Sequence, residues 1–165
     1  MKRSVFLAQV NNSYGENVFL PYSAGVVQAY TQSLPQLAKG YSFNTPLYAK
    51  ADPQIVARDL ENPGILGLSC YIWNWAWNMS LARAVKLCWP ECIVVAGGPH
   101  IPLPPAVEFC KEHWYLDILV HGEGEIVFAS LLQAILDSTP LELVNGISLL
   151  YHGGALTTSP AVREP

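Results

Sequence analysis

Hydrophobic and polar positions alternate little in this chain; they come in blocks, and the block from Pro63 to Asn74 is the most informative. It reads Pro-Gly-Ile-Leu-Gly-Leu-Ser-Cys-Tyr-Ile-Trp-Asn. Pro-Gly punctuation opens it, an apolar run too short for a helix follows, and a polar and aromatic turn closes it at Tyr71 to Asn74. A strand that is apolar on both faces must be covered on both, which predicts a central place in a parallel sheet with helices on either side.

The remaining pattern fits around that strand. Ser4 to Gln9 predicts a first strand whose end delivers Gln9, Asn11 and Asn12 into a long loop containing Tyr14-Gly15-Glu16. Leu20 to Lys39 predicts a helix with Val26, Val27, Tyr30, Leu34 and Leu37 on one stripe and a kink at Pro35. Tyr41 to Tyr48 is a weak strand, and Pro46 assigns it to an edge. Asp52-Pro53 caps a helix that runs to about Glu61. After Asn74 comes a helix ending near Pro90, with Trp77, Leu81, Ala84, Val85 and Cys88 on one face. Cys92 to Ala96 is a strand ending in Gly97-Gly98-Pro99-His100. Pro104 to Trp114 is a helix, and Leu116 to Val120 a strand ending in His121-Gly122-Glu123-Gly124-Glu125. A last helix spans Glu125 to Asp137.

Strands alternating with helices at short intervals predict an α/β fold: a flavodoxin-like (Rossmann-like) doubly wound sheet of five parallel strands in the order 2-1-3-4-5. Gly146 to Tyr151, a turn at His152-Gly153-Gly154 and Ala155 to Thr158 predict a C-terminal β-hairpin extension. The expected division is residues 1–140 as the sheet domain, 141–158 as the hairpin, and 159–165 as the start of a linker.

Composition narrows the function. A chain of 165 residues is long enough to bury roughly two-thirds of its unfolded surface as one domain. At 51% hydrophobic and 13% charged it is rich in apolar surface, some of it available for a ligand or a neighbouring domain. A net charge of -4, with no dense Lys/Arg run, argues against nucleic acid. No apolar run reaches the length of a membrane span. Met1-Lys2-Arg3 imitates a signal peptide, but the run behind it is short and Asn11-Asn12-Ser13 follows, so an opening strand and a cytoplasmic location are expected. Cys70, Cys88, Cys92 and Cys110 read as reduced thiols. Only Cys88 and Cys92 are close in sequence, with no third cysteine at cluster-binding distance, so no metal site is expected.

Parallel strands all end at one edge, so three turns converge. Ser69 to Asn74 brings a hydroxyl, amides and aromatic rings able to recognise a large, partly flat ligand; the plainer reading makes Trp73, Trp75 and Trp77 core and helix-face residues. Gly97 and Gly98 at a strand end let a ligand approach the backbone, although any tight strand-to-helix turn uses glycine. In Gly122-Glu123-Gly124-Glu125 the carboxylates would accept bonds from hydroxyl or amide donors, or simply stabilise a helix N-terminus. Ser69 and Cys70 are nucleophiles without a Gly-x-Ser-x-Gly elbow. The first strand ends in Gln9 and Asn11, without a response regulator's aspartates.

Taken together, Ser69-x-Tyr71-Ile72-Trp73-Asn74, then Gly-Gly-Pro-His, then Gly-Glu-Gly-Glu resembles the amino-terminal cobalamin-binding domain of cobalamin-dependent radical SAM enzymes. The resemblance runs from the first strand to the linker. It implies a corrin held over the carboxyl edge of the sheet with its nucleotide tail threaded inward. Ser69 would match the strand-end serine near the tail, Gly97 and Gly98 the glycines that make room for it, and Gly122 to Glu125 the loop beside ribose and corrin amides. Pro99 and His100 complete the second turn; Tyr71, Trp73 and Asn74 would lie near the lower face of the ring, with Gln9 and Asn11 from the first strand nearby. On this reading Gly98→Val should obstruct the tail and leave helical content intact.

Two departures qualify the resemblance. Asn11 to Pro21 contains no histidine and the first in the chain is His100, so the Asp-x-His-x-x-Gly ligand of cobalamin mutases is missing. The resemblance therefore implies a cofactor with its benzimidazole displaced and no histidine ligand; His100 and His121, which both end strands, are expected to cap turns or form hydrogen bonds. The Cys-x-x-x-Cys-x-x-Cys that binds an iron-sulfur cluster for S-adenosylmethionine cleavage is also missing. The implied function is a module, non-catalytic alone, that holds cobalamin for a radical SAM domain elsewhere in the parent chain, often for methyl transfer. The alternative is a degenerate domain of the same fold that has lost the cofactor and serves as an interaction or substrate-gating module. Flavin in place of cobalamin would give a yellow preparation.

Overall fold

The computed structural model describes residues 2–12, 19–151 and 153–161. Tyr14-Gly15-Glu16 of the first loop, His152 of the hairpin turn and Val162 to Pro165 of the expected linker lie outside the described residues.

The chain forms β1 (Arg3–Ala8), α1 (Tyr22–Ser33), α2 (Pro35–Gly40), β2 (Tyr41–Phe43), α3 (Pro53–Asp59), β3 (Pro63–Ser69), α4 (Trp75–Cys88), β4 (Ile93–Gly97), α5 (Val107–Glu112), β5 (Ile118–Val120), α6 (Gly124–Asp137), a 3-10 turn at Leu141–Leu143, β6 (Ile147–Tyr151) and β7 (Gly154–Thr157). One sheet holds all the strands of the described residues, in the order β2-β1-β3-β4-β5-β6-β7. Its first five strands are parallel in the expected order. The last two are antiparallel. The sheet is therefore seven-stranded and mixed rather than five-stranded and parallel. The hairpin is part of it because β5 is only three residues long and would otherwise leave an open edge. β6 covers that edge in the register Ile118↔Leu149 and Val120↔Ile147, with Ile147 and Ser148 fully buried.

Other differences follow from proline. The helix expected over Leu20 to Lys39 is broken in two, because Leu34 precedes Pro35 and is extended at φ -87°, ψ 114°. The Tyr41 to Tyr48 strand keeps only its first three residues in the ladder, at the edge. Beyond them a single bridge joins Leu47 to Ala8. The fifth helix begins only at Val107, after Pro104 and Pro105. Asp52 does cap α3, its Oδ1 accepting from the Gln54 amide at 2.8 Å.

Two apolar layers flank the sheet. Phe6, Leu66, Leu68, Val94, Ala96 and Leu119 face α3 and α4. The alternate residues Val5, Leu7, Ile65, Val95, Ile118 and Val120 face α1, α2 and α6. This period of two on both sides of a buried strand explains why β3 reads as an unbroken apolar run.

Candidate functional site

A cavity of about 540 Å³ opens at the carboxyl edge of β3, β4 and β5, between the sheet and helices α1 and α6. Its size falls within the range of small-molecule sites. The strand residues that form its floor explain why it exists. Leu7, Gly67 and Val95 are register neighbours on the α1/α6 face, as are Ser69, Gly97 and Val120 one step further along. Glycine or serine stands at three of these six positions, so the floor is recessed. A Cβ on Gly67 would come within 2.6 Å of Leu7 Cδ2 and 3.5 Å of Phe128, and one on Gly97 within 3.3 Å of Val120.

Nine of the fourteen residues singled out in the sequence line this cavity: Ser69 and Tyr71 from the first turn, Gly97, Gly98 and Pro99 from the second, and Gly122, Glu123, Gly124 and Glu125 from the third. The other five lie outside the lining. Gln9 is buried, and its Oε1 accepts from the Ala24 amide at 3.1 Å, which anchors α1 to β1. Asn11 Oδ1 accepts from Trp73 Nε1 at 3.2 Å. Asn74, 2% exposed, ties its turn together: Oδ1 accepts from the Tyr71 amide at 2.8 Å, and Nδ2 donates to the carbonyls of Ser69 and Val10. Trp73 stacks on Tyr71, and the exposed His100 ring packs edge-on against Trp75 with centroids 4.9 Å apart.

Gly98 lines the cavity but owes its identity to the turn. It sits at φ +112°, and a Cβ there would lie 2.6 Å from the Cys70 carbonyl oxygen. The Cys70 amide donates to the Gly97 carbonyl at 2.7 Å, and the His100 amide to the Cys70 carbonyl at 3.3 Å, so the first two turns are stitched together through this glycine.

Sequence reasoning missed Gly67 and Ser23. Gly67 interrupts a buried strand, which is itself a signal that something approaches the backbone. Ser23, in the first turn of α1, places its hydroxyl 2.8 Å from that of Tyr71; no motif marked it. His121, also in the lining, has Nε2 2.8 Å from Ser148 Oγ, and burial holds its pKa below the usual histidine value. Ser148 Oγ in turn lies 2.8 Å from Thr157 Oγ1, so His121 joins the end of β5 to the hairpin. Burial pushes the Cys70 thiol up to about 12 against a smaller opposing hydrogen bond from Asn78, so it stays protonated and unreactive.

The chemistry of the lining is apolar below and acidic above. Leu7, Val27, Val95, Val120 and Phe128 form the walls and floor, Glu123 and Glu125 stand at the rim, and no lysine or arginine is among the described lining residues. Such a site suits a ligand that is apolar in its deep part and carries hydroxyl or amide donors at the mouth. Among the described residues, no three His, Cys, Asp or Glu side chains are grouped to hold a metal ion. None of the described helices is long and apolar enough to cross a membrane.

No family model matches the chain. The 2-(S-pantetheinyl)-carbapenam-3-carboxylate methyltransferase of Streptantibioticus cattleyicolor is 40% identical to it over 148 residues, 89% of this chain and 22% of that protein. The cobalamin-dependent radical SAM methyltransferase TokK of Streptomyces tokunonensis is 37% identical over 164 residues, 99% of this chain and 23% of that protein. The chain thus spans under a quarter of the length of these curated relatives. Among solved structures, the cobalamin-dependent S-adenosylmethionine radical enzyme OxsB with aqua-cobalamin and S-adenosylmethionine bound superposes with a TM-score of 0.76 at 18% identity, over 98% of this chain and 23% of that one. TsrM from Kitasatospora setae, a radical S-adenosylmethionine methyltransferase with cobalamin and a 4Fe-4S cluster bound, gives 0.69 at 18% identity, over 98% and 30%. At such identities the two superpositions speak for the fold. Together with the sequence relatives, they make this chain a homologue of the cobalamin-dependent radical SAM methyltransferases, matching the portion of them that forms the cobalamin-binding domain.

Proposed function

We propose that the chain is a cobalamin-binding module that presents its cofactor to a radical SAM domain of a longer parent enzyme, with methyl transfer as the reaction. The observation that carries this reading is the convergence of the β3, β4 and β5 turns on one cavity whose floor is lowered by Gly67 and Gly97. The residues fit the group. A whole corrinoid exceeds 540 Å³, so its nucleotide tail would take the apolar recess, near Ser69 and Gly97, while the ring stays over the rim. Glu123 and Glu125 would accept bonds from ribose hydroxyls and corrin amides. Bound cobalamin would supply a cobalt centre able to carry a methyl group.

The benzimidazole is proposed to be displaced, with no histidine of this chain on the metal. Supporting this, His121 Nε2 is engaged by Ser148, His100 packs on Trp75, and the stretch from Asn11 to Pro21 contains no histidine. The corresponding division is residues 1–140 as the binding domain, 141–158 as a β-hairpin that completes the sheet, and 159–165 as the start of a linker. The iron-sulfur cluster and S-adenosylmethionine belong to the proposed partner domain. The four free cysteines suit a reducing, cytoplasmic setting.

The test is to mix the purified chain with hydroxocobalamin, desalt it, and record the visible spectrum and cobalt content. One cobalt per chain is expected. A colourless protein would instead favour the degenerate gating module.

A further inference from the structure

The turn after β3 combines a fixed backbone with lightly held side chains. Its backbone is tied by two buried amides. Asn74 makes the bonds described above, and Asn78, fully buried on α4, donates from Nδ2 to the Ser69 carbonyl at 3.1 Å and toward Asn74 Oδ1 at 3.3 Å. Tyr71 and Trp73 stand outside this packing. They stack on each other with ring centroids 4.6 Å apart at 11°, and Trp73 is 49% exposed. Each ring is held at its tip by one hydrogen bond to a different element. The Tyr71 hydroxyl meets Ser23 Oγ on α1, and Trp73 Nε1 reaches Asn11 after β1. Ser23 and Tyr71 both line the cavity, so their bond runs from the β3 turn to α1 along its rim.

We infer that the Tyr71–Trp73 stack is a side-chain latch on the cavity mouth, closed by Ser23 and Asn11, and that it must swing aside for a ligand to enter. Ser23 and Asn11 are positioning residues that act through the two rings. The inference rests on the cavity being the corrinoid site proposed above. Rotation about the side-chain torsions opens the latch while Asn74 and Asn78 keep the backbone in place. Such side-chain rotations, of the half-buried Tyr71 and the exposed Trp73, are fast compared with protein–ligand encounter, so the entry rate scales with the fraction of open molecules. Removing one partly exposed hydrogen bond of ordinary net strength shifts that fraction by about two- to tenfold.

Stopped-flow quenching of tryptophan emission by hydroxocobalamin measures the entry rate directly. Tyr71→Phe and Ser23→Ala are each expected to raise the association rate about two- to tenfold. Ser23→Thr, which keeps the hydroxyl, should return the wild-type rate, and Ser33→Ala, whose hydroxyl bonds within its own helix, should not alter it. The near-ultraviolet circular dichroism of the chain alone supplies a second readout: Ser23→Ala and Asn11→Ala should weaken the Tyr71–Trp73 signal, with Trp73→Phe as the blank. A wild-type chain that retains cobalamin while Tyr71→Phe and Ser23→Ala load at its rate would overturn the latch and leave the site standing. A wild-type chain that retains no cobalamin would overturn the site, and the latch with it.

Discussion

The sharpest test of the cavity is Gly124→Leu. Gly124 is the first residue of α6 and lies in the cavity wall; its backbone is outside the left-handed region, and a Cβ there would meet only Val27 Cγ2, at 3.6 Å. The added side chain therefore grows from α6 toward α1, across the space between them, without pushing on backbone. Four carbons, each taking about the 30 Å³ share of a liquid water, occupy roughly 120 Å³, a sizeable part of the 540 Å³ present. If they deny a ligand about 100 Å² of apolar contact, the loss at about 25 cal/mol per Å² is roughly 2.5 kcal/mol, close to two decades in Kd. The fold should not suffer, because replacing glycine where the backbone permits a side chain stabilises by about 0.4–1 kcal/mol. Equilibrium titration with hydroxocobalamin, paired with a thermal melt, reads both quantities. A Gly124→Leu chain with an unchanged melting temperature and an unchanged Kd would refute the assignment of this cavity. Gly98→Val, the choice the sequence suggests, is a poorer probe: it forces a β-branched residue to φ +112° against the Cys70 carbonyl, so lost binding would not separate occlusion from a broken turn.

Asn74→Leu should destabilise the fold by roughly 2–4 kcal/mol, since it strands the Tyr71 amide and the Val10 carbonyl and leaves the Ser69 carbonyl with Asn78 alone; urea denaturation measures it. Burial holds the pKa of His121 below the ordinary histidine value of about 6.5, so its neutral form is the native one. Its contribution is intact above about pH 6.5 and is lost as pH falls further. His121→Gln should flatten the decline in melting temperature between about pH 7 and pH 5. Burial pushes the thiols of Cys70 and Cys92 up to about 12 and raises that of Cys110, whereas Cys88 is exposed. Iodoacetamide near pH 8 should therefore add a single label, at Cys88, by mass spectrometry, and labelling of Cys70 in the native chain would contradict the buried turn.

Most of the sheet was legible because each parallel strand is a short apolar run and each crossover a helix with a stripe. The order β2-β1-β3-β4-β5 is the flavodoxin-like one expected, although short crossovers by themselves fix only the hand of each connection. The edges were harder to read. Nothing in Gly146 to Thr158 says that the hairpin will pair with β5, because that depends on β5 being short and on Ser148 meeting His121. Three converging turns were visible as motifs, and nine of their residues do line one cavity. Gln9, Asn11 and Asn74 looked like ligand donors because polar side chains at strand ends often are. In the fold each also holds scaffold in place: Gln9 Oε1 accepts from the Ala24 amide, Asn11 Oδ1 from the Trp73 indole, and Asn74 ties the β3 turn. Which polar side chain is consumed by its own scaffold is a tertiary fact that spacing does not carry.

The same distinction explains why the cavity lies on one face only. On the α3/α4 face, Leu66, Leu68, Val94, Ala96 and Leu119 meet the large residues of α4, among them Trp77, Met79 and Leu81, and the layer is filled. On the other face the carboxyl ends of β3 and β4 present Gly67, Ser69 and Gly97, too small to reach α1 and α6. At Gly67 even a Cβ would meet Leu7 Cδ2 at 2.6 Å, and at Gly97 it would meet Val120 at 3.3 Å, so neighbouring side chains lean over these glycines and the open space lies beyond them, toward the turns. The chain keeps small residues at adjacent positions of neighbouring strands on this face while it sets large side chains on the opposite one. A gap confined to the strand ends where three turns meet, and walled by Glu123 and Glu125 above an apolar floor, has the shape expected if the missing packing is supplied by a ligand rather than by the protein.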